Sequence, residues 1–252
     1  MDLVQSSIDP ASLAQQLQAL QPRFDMSDGD LLATYWRFHP RFRFLKTLPG
    51  HAAVLDVGAG AGGLPGWKTW LEPVRTDLRL YAVDRTPAPH GHGYEAWACS
   101  DLDDALPDFA AASFDAALLS HVVEHLRDPA RLLGWIGRCV RPGGRVYVEW
   151  PSEVSTTLPP REALLPLGID IIISNFFDDC THRRLIPAAE VHAALSATGL
   201  RPTASGTIDL GLVGEEMLAR GLRQDDPFGR LAGFWSVTGW CNWVEAVRPM
   251  MR

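Results

Sequence analysis

The sequence predicts an α/β fold built on a mostly parallel sheet, and three stretches carry that prediction. Val54, Leu55 and Val57 form a short apolar run that ends in the cluster Gly58-Ala59-Gly60-Ala61-Gly62-Gly63. Such a run suits a strand buried on both faces. Residues 80–83 repeat the pattern and end on Asp84, and residues 113–120 repeat it again. Helical stretches separate the runs, as parallel strands joined by crossovers require.

The composition sets the frame. A chain of 252 residues can bury the core of one large domain. Apolar residues at 46% and charged residues at 21% are ordinary for a soluble globular protein. The net charge of −7 argues against nucleic acid as the main partner, since phosphate contacts need a basic surface. Asp2, Ser6, Ser7 and Asp9 leave no signal-peptide core at the start. No run approaches the roughly 18 apolar residues of a membrane span. Cys99, Cys139, Cys180 and Cys241 are widely spaced without a C-x-x-C pair, so free, mostly buried thiols in a reducing cytoplasm are expected.

Taken in order, the elements follow from local signals. Asp9-Pro10 caps a helix over 10–20, whose Leu13, Leu17 and Leu20 share one face. A second helix begins near Asp30, and Pro40 should break it. Arg37, Arg41, Arg43 and Lys46 make this stretch basic, which reads as a solvated face, with an anion contact as the alternative. Residues 65–77, with Trp67, Trp70 and Pro73, look like an insertion before the second strand. Residues 95–99 are the third strand. After the fourth strand, Asp128-Pro129 caps a helix that ends at the turn Arg141-Pro142-Gly143-Gly144, and 145–149 form the fifth strand. The thirty or so residues after Pro151 read as an irregular loop at a strand's carboxyl end, where a substrate lid belongs. A helix over 187–198 stops at Gly199, and 234–247 reads as a closing antiparallel hairpin around Gly239.

The glycine cluster points to a ligand. Glycine lacks a Cβ, so the backbone can approach a bound molecule and offer it amides. Gly58-x-Gly60-x-x-Gly63 satisfies a dinucleotide fingerprint, but Pro65 and Gly66 interrupt the helix start that a phosphate would want. Asp56 would repel a pyrophosphate and suits a ligand carrying a cation. A glycine-rich turn with no ligand is the plain alternative. Asp84, at a strand's carboxyl end, suits a ribose diol.

Asp56-x-Gly58-x-Gly60-x-Gly62 resembles the first motif of the class I (Rossmann-like) methyltransferases, which bind S-adenosylmethionine (SAM). The block over 113–149 resembles the same family: strand, Glu124-His125, Asp128-Pro129, helix, Pro142-Gly143-Gly144, strand. Nicotinamide dehydrogenases lack that block, which favours SAM. The resemblance implies one domain over 1–252 with a seven-stranded, mostly parallel sheet and a final antiparallel strand. It divides into a helical cover (1–49), a SAM-binding core (50–150), a lid or substrate loop (151–186), and a helix with a strand pair (187–252). It also implies cofactor contacts from Asp56, Gly58, Ala59, Gly60, Asp84, Arg85, Asp101, Leu102, Ser120 and His121. Asp103 and Asp104 compete with Asp101 for the adenine amine.

For chemistry, an alcohol attacking a sulfonium must lose its proton, and histidine is the natural base. His125 is the first candidate, with His121 and His182 as reserves and Glu124 to orient a histidine or an acceptor hydroxyl. His121-x-x-Glu124-His125 also matches the inverted zinc-protease signature, but it falls at a strand-to-helix junction rather than on a helix face. Some methyltransferases resembling this chain hold a divalent metal at that junction. His121 in place of an acid would favour a softer ion. The run Phe176-Phe177-Asp178-Asp179-Cys180-Thr181-His182-Arg183 resembles a segment of bacterial methyltransferases acting on glycans or glycosylated metabolites; alternatively Asp179 and His182 merely pin the loop. The reading is O-methylation of a hydroxyl on a saccharide or glycosylated small molecule. An N- or C-methyltransferase, a non-catalytic SAM-binding module and a nicotinamide oxidoreductase are the alternatives.

Overall fold

Side-chain acceptors open the first two helices. In the computed structural model, which describes residues 8–250, Asp9 accepts from the Ser12 amide and Pro10 starts α1 (Pro10–Ala19). Ser27 caps α2 (Asp28–Phe38) in the same way through the Asp30 amide. His39 ends α2 and Pro40 opens a new helix, α3 (Pro40–Lys46), so the expected break falls at the proline. The signal-peptide reading rests on Asp2, Ser6 and Ser7, which lie outside the described residues.

Seven strands form one sheet: β1 (Ala53–Val57), β2 (Arg79–Asp84), β3 (Ala96–Cys99), β4 (Phe114–Ser120), β5 (Val140–Pro151), β6 (Arg201–Thr207) and β7 (Cys241–Val247). Their order is β3-β2-β1-β4-β5-β7-β6. The ladders from β3 to β5 are parallel, with Val54 beside Leu80 on one side and Ala116 on the other. β7 runs antiparallel: Gly143 donates to the Arg248 carbonyl, and Arg248 donates back to Gly144. Pro142-Gly143-Gly144, expected as a turn, lies inside β5, where the glycines are accommodated by a register shift between Phe114 and Ala116.

Alternate strand residues feed two apolar layers, because side chains alternate across a sheet. Leu55, Val57, Ala117, Leu119, Val146 and Val148 pack with α5 (Pro129–Cys139) and α7 (Ala188–Ala197). Val54, Leu80, Ala82, Leu118 and Tyr147 pack with Phe44 and Leu45 of α3 and Leu64 of α4 (Leu64–Thr69). α4 corrects one expectation. It starts directly behind the glycines, because Pro65 sits in the first turn where its missing N–H costs nothing, but it lasts six residues.

The chain divides into two compact units. One holds Pro40–Trp150, Ile186–Gly206 and the residues from Trp243; the other holds the residues up to His39, Pro151–Leu185 and Thr207–Asn242. Within the second, α8 (Leu212–Gln224) and α9 (Pro227–Thr238) cross closely. A Cβ on Gly221 or Gly233 would strike the backbone of Arg230 or Leu218. Glu216, buried on α8, accepts from the Arg23 and Phe24 amides and from Arg220. α9 corrects the expected hairpin. Asp226 and Pro227 start a helix that holds until Gly239 (φ 65), and the strand begins only at Cys241. Residues 151–185 are likewise not featureless. Short turns at Glu153–Thr156, Arg161–Leu164, Leu165–Leu167 and Phe176–Asp178 bury Leu158, Leu164, Ile169, Ile171 and Phe176.

Candidate active site at the carboxyl ends of the strands

Three glycines turn the chain at the end of β1. Gly58, Gly60 and Gly62 all have positive φ (74, 55 and 75). The Gly58 and Ala59 amides donate to the Val83 carbonyl, which ties the turn to β2. Gly60 then donates to Asp84 at 2.8 Å, and Thr86 holds the other carboxylate oxygen through its amide and hydroxyl. A Cβ on Gly60 would meet open space, whereas one on Gly58 would run into Val122. One glycine is fixed by packing and the other faces a void.

Asp56, one residue inside the strand, is buried and accepts from the Tyr94 hydroxyl at 2.5 Å. Burial pushes its pKa up to about 6, although Tyr94 and the nearby Arg41 oppose the rise. A positive charge arriving there would favour the ionised form.

The adenine-side candidates sit after β3. Leu102 is buried, and Arg131 donates to the carbonyls of Leu102 and Asp103. Asp103 and Asp104 both engage Arg127. Asp101 is exposed and accepts from the Asp103 amide. Arg85 is exposed, and its carbonyl accepts from the Cys99 thiol. Cys99 and Cys180 are exposed; Cys139 and Cys241 are buried, so half the thiols rather than most are inside.

Polar groups concentrate at the end of β4. His121 adopts φ 54, a left-handed conformation that a residue with a Cβ rarely takes. Its Nδ1 lies 3.0 Å from Glu124 and its Nε2 3.2 Å from Glu149. Both carboxyls are almost fully buried. Each ring nitrogen therefore faces a carboxyl oxygen. Ser120 donates to Glu149, and Arg41 donates to Ser120 while its guanidinium lies over the Trp67 ring, 5.1 Å from the centroid.

His125 ends a short turn, Val123–His125, and is half-buried. A ring nitrogen of His125 and an oxygen of Glu124 lie within 4.8 Å. His182 belongs to the other unit. Its Nδ1 faces the Phe176 carbonyl at 2.5 Å and its ring stacks on Phe176. Asp178 caps the Arg161, Ser174 and Asn175 amides, and Asp179 holds Thr181.

The strand-end carboxyls Asp56 and Asp84 were legible in the sequence; Glu149 and Tyr94 were not. Glu149 carried the same signal as the other two, an acid after an apolar run (Val146, Tyr147, Val148). Arg41 stands among the four basic residues whose alternative reading is an anion contact.

Residues 33–205 match the methyltransferase domain family. A ubiquinone biosynthesis O-methyltransferase of Methylocella silvestris is 30% identical over 186 residues, 68% of this chain and 67% of that protein. Across such curated relatives the chain spans from 50% to 67% of their length. A SAM-dependent methyltransferase structure from Archaeoglobus fulgidus superposes with TM-score 0.55 at 16% identity, covering 86% of this chain and 94% of that one. The [4+2]-cyclase SpnF superposes with TM-score 0.56 at 16% identity, covering 96% and 94%. At these identities the structural likeness speaks for the fold.

The chain belongs to the methyltransferase domain family. It is an enzyme, a methyltransferase. No helix among the described residues is long and apolar enough to cross a membrane.

Proposed function

We propose that the protein transfers the methyl group of SAM to a hydroxyl oxygen of a small acceptor, with His125 as the base. The observation that carries the donor site is the Gly60–Asp84 hydrogen bond, which draws the left-handed glycine turn onto the acid at the end of β2. The residues suit each part of the donor. Asp84 offers a carboxylate to the ribose diol, and Asp101 with Leu102 offers an acceptor and an apolar face to adenine. Arg41 suits the carboxylate of the amino-acid end, and ionised Asp56 suits the cationic groups. Gly58, Ala59, Gly60, Arg85, Ser120 and the His121 backbone line the remainder. When bound, SAM supplies a sulfonium-activated methyl group. Holding the acceptor in line with it contributes on the order of 7–11 kcal/mol of barrier lowering.

His125 is favoured over the other histidines by what surrounds them. Both ring nitrogens of His121 face carboxylates, and His182 Nδ1 faces the Phe176 carbonyl. Glu124 lies near His125, a carboxyl oxygen and a ring nitrogen of the two falling within 4.8 Å. A divalent cation is a second reading of the same pair. One buried oxygen of Glu124 finds no hydrogen-bond partner among the described residues, and a carboxylate beside an imidazole is a fitting donor pair. Bound there, a cation would acidify an acceptor hydroxyl; activity surviving thorough chelation would remove this reading.

Oxygen as the receiving atom is supported by the name of the Methylocella relative. Two acceptor classes follow: a hydroxylated precursor of ubiquinone, from that name, and a sugar hydroxyl, from the resemblance of the 176–183 segment. Methyl-labelled SAM offered with panels of hydroxylated ubiquinone precursors and glycosides tests the proposal. Label on oxygen of either panel is the expected result; label on nitrogen or carbon would overturn it.

A further inference from the structure

Glu149 lies near the carboxyl end of β5 with almost no exposure, in register beside Ser120 of β4. A carboxylate buried so deeply is costly unless its oxygens are taken up by donors. Its oxygens are: Tyr147 donates to Oε2 at 2.7 Å and Ser120 to Oε1 at 3.2 Å, and His121 Nε2 lies 3.2 Å from Oε1. The Arg41 Nε is 3.8 Å from Oε2. The main chain adds a further tie, with the His121 amide donating to the Glu149 carbonyl at 2.9 Å. One residue therefore holds the left-handed His121 at both its backbone and its ring, and holds Arg41 against Ser120.

We infer that Glu149 is a positioning residue that aims Arg41 and the Ser120–His121 backbone at the amino-acid end of the methyl donor. The inference rests on the donor reading given above. The amino-acid end of SAM carries a carboxylate and an ammonium. A guanidinium is a planar, two-pronged donor for a carboxylate, but only when its plane is held. Trp67 beneath Arg41 and Glu149 beside it hold that plane. A glutamine at 149 would keep the shape and remove the charge, loosening the hold on the Arg41 guanidinium from that side.

The test compares two ligands that share a nucleoside and sulfur. S-adenosylhomocysteine has the amino-acid end and methylthioadenosine lacks it. By titration calorimetry, Glu149→Gln should weaken the first about tenfold, the effect of losing one charge-assisted contact, and leave the second unchanged. In turnover assays the KM for SAM should rise with kcat nearly kept. Tyr147→Phe, which removes one donor to Glu149 and keeps the carboxylate, should shift the homocysteine ligand in the same direction by less. It also serves if the glutamine variant fails to fold. Equal loss for both ligands, or no loss for either, would overturn the inference. Wild-type protein that binds neither would overturn the donor reading itself, and this inference with it.

Discussion

The Tyr94 hydroxyl donates to Asp56 across 2.5 Å with both groups inside the protein. Burial raises the carboxyl to about 6, and burial with the neighbouring Asp56 raises the phenol far above its ordinary range. The phenol is therefore the donor at every working pH, and Asp56 is the group that titrates.

The sign of the resulting pH dependence follows from linkage. Asp56 holds its proton more tightly in the folded chain, so its contribution to stability is fully present below about pH 4 and is lost as pH rises through about 6. The contribution is on the order of 3 kcal/mol. Melting scans without ligand should show a fall in Tm over this interval that Asp56→Asn flattens. Donor affinity should move the opposite way, rising as the carboxyl ionises, because the donor is cationic. Parallel melting curves for wild type and variant would contradict the assignment.

Gly58→Ala meets two obstacles, a φ of 74 and the Val122 side chain. It should destabilise the protein by about 1–3 kcal/mol. Because the backbone conformation is part of the cost, adding Val122→Ala should restore only part of the lost Tm. Full restoration would mean that packing alone had been at stake.

His125→Ala should slow turnover about a hundredfold or more with donor affinity kept, the scale of a lost general base. Stopped-flow methyl transfer with the best acceptor from the panels reads this directly. A near-normal rate would leave His125 a structural residue of the turn after β4.

Much of the fold was legible because strands and caps are local signals. Val54–Leu55–Val57, Asp9-Pro10 and Asp128-Pro129 each declare an element without help from the rest of the chain. The misreadings came where a local signal had two outcomes. Pro65 can block a helix or occupy its first turn, and it does the second. Trp235, Trp240 and Trp243 suggested a hairpin, whereas Asp226-Pro227 had already started a helix. In the site, the strand-end acids could be read directly from the sequence. The pairing of His121 with Glu149 could not, because it joins residues brought together only by the β4–β5 register.

The donor site itself is tested most directly at Asp84. Titration of S-adenosylhomocysteine into the wild-type protein should give saturable binding, and Asp84→Ala should weaken it by tenfold or more, as expected from removing a charged hydrogen-bonding group. Binding that survives the substitution undiminished, or a wild-type protein that ignores this compound and takes up NAD(P), would contradict the account.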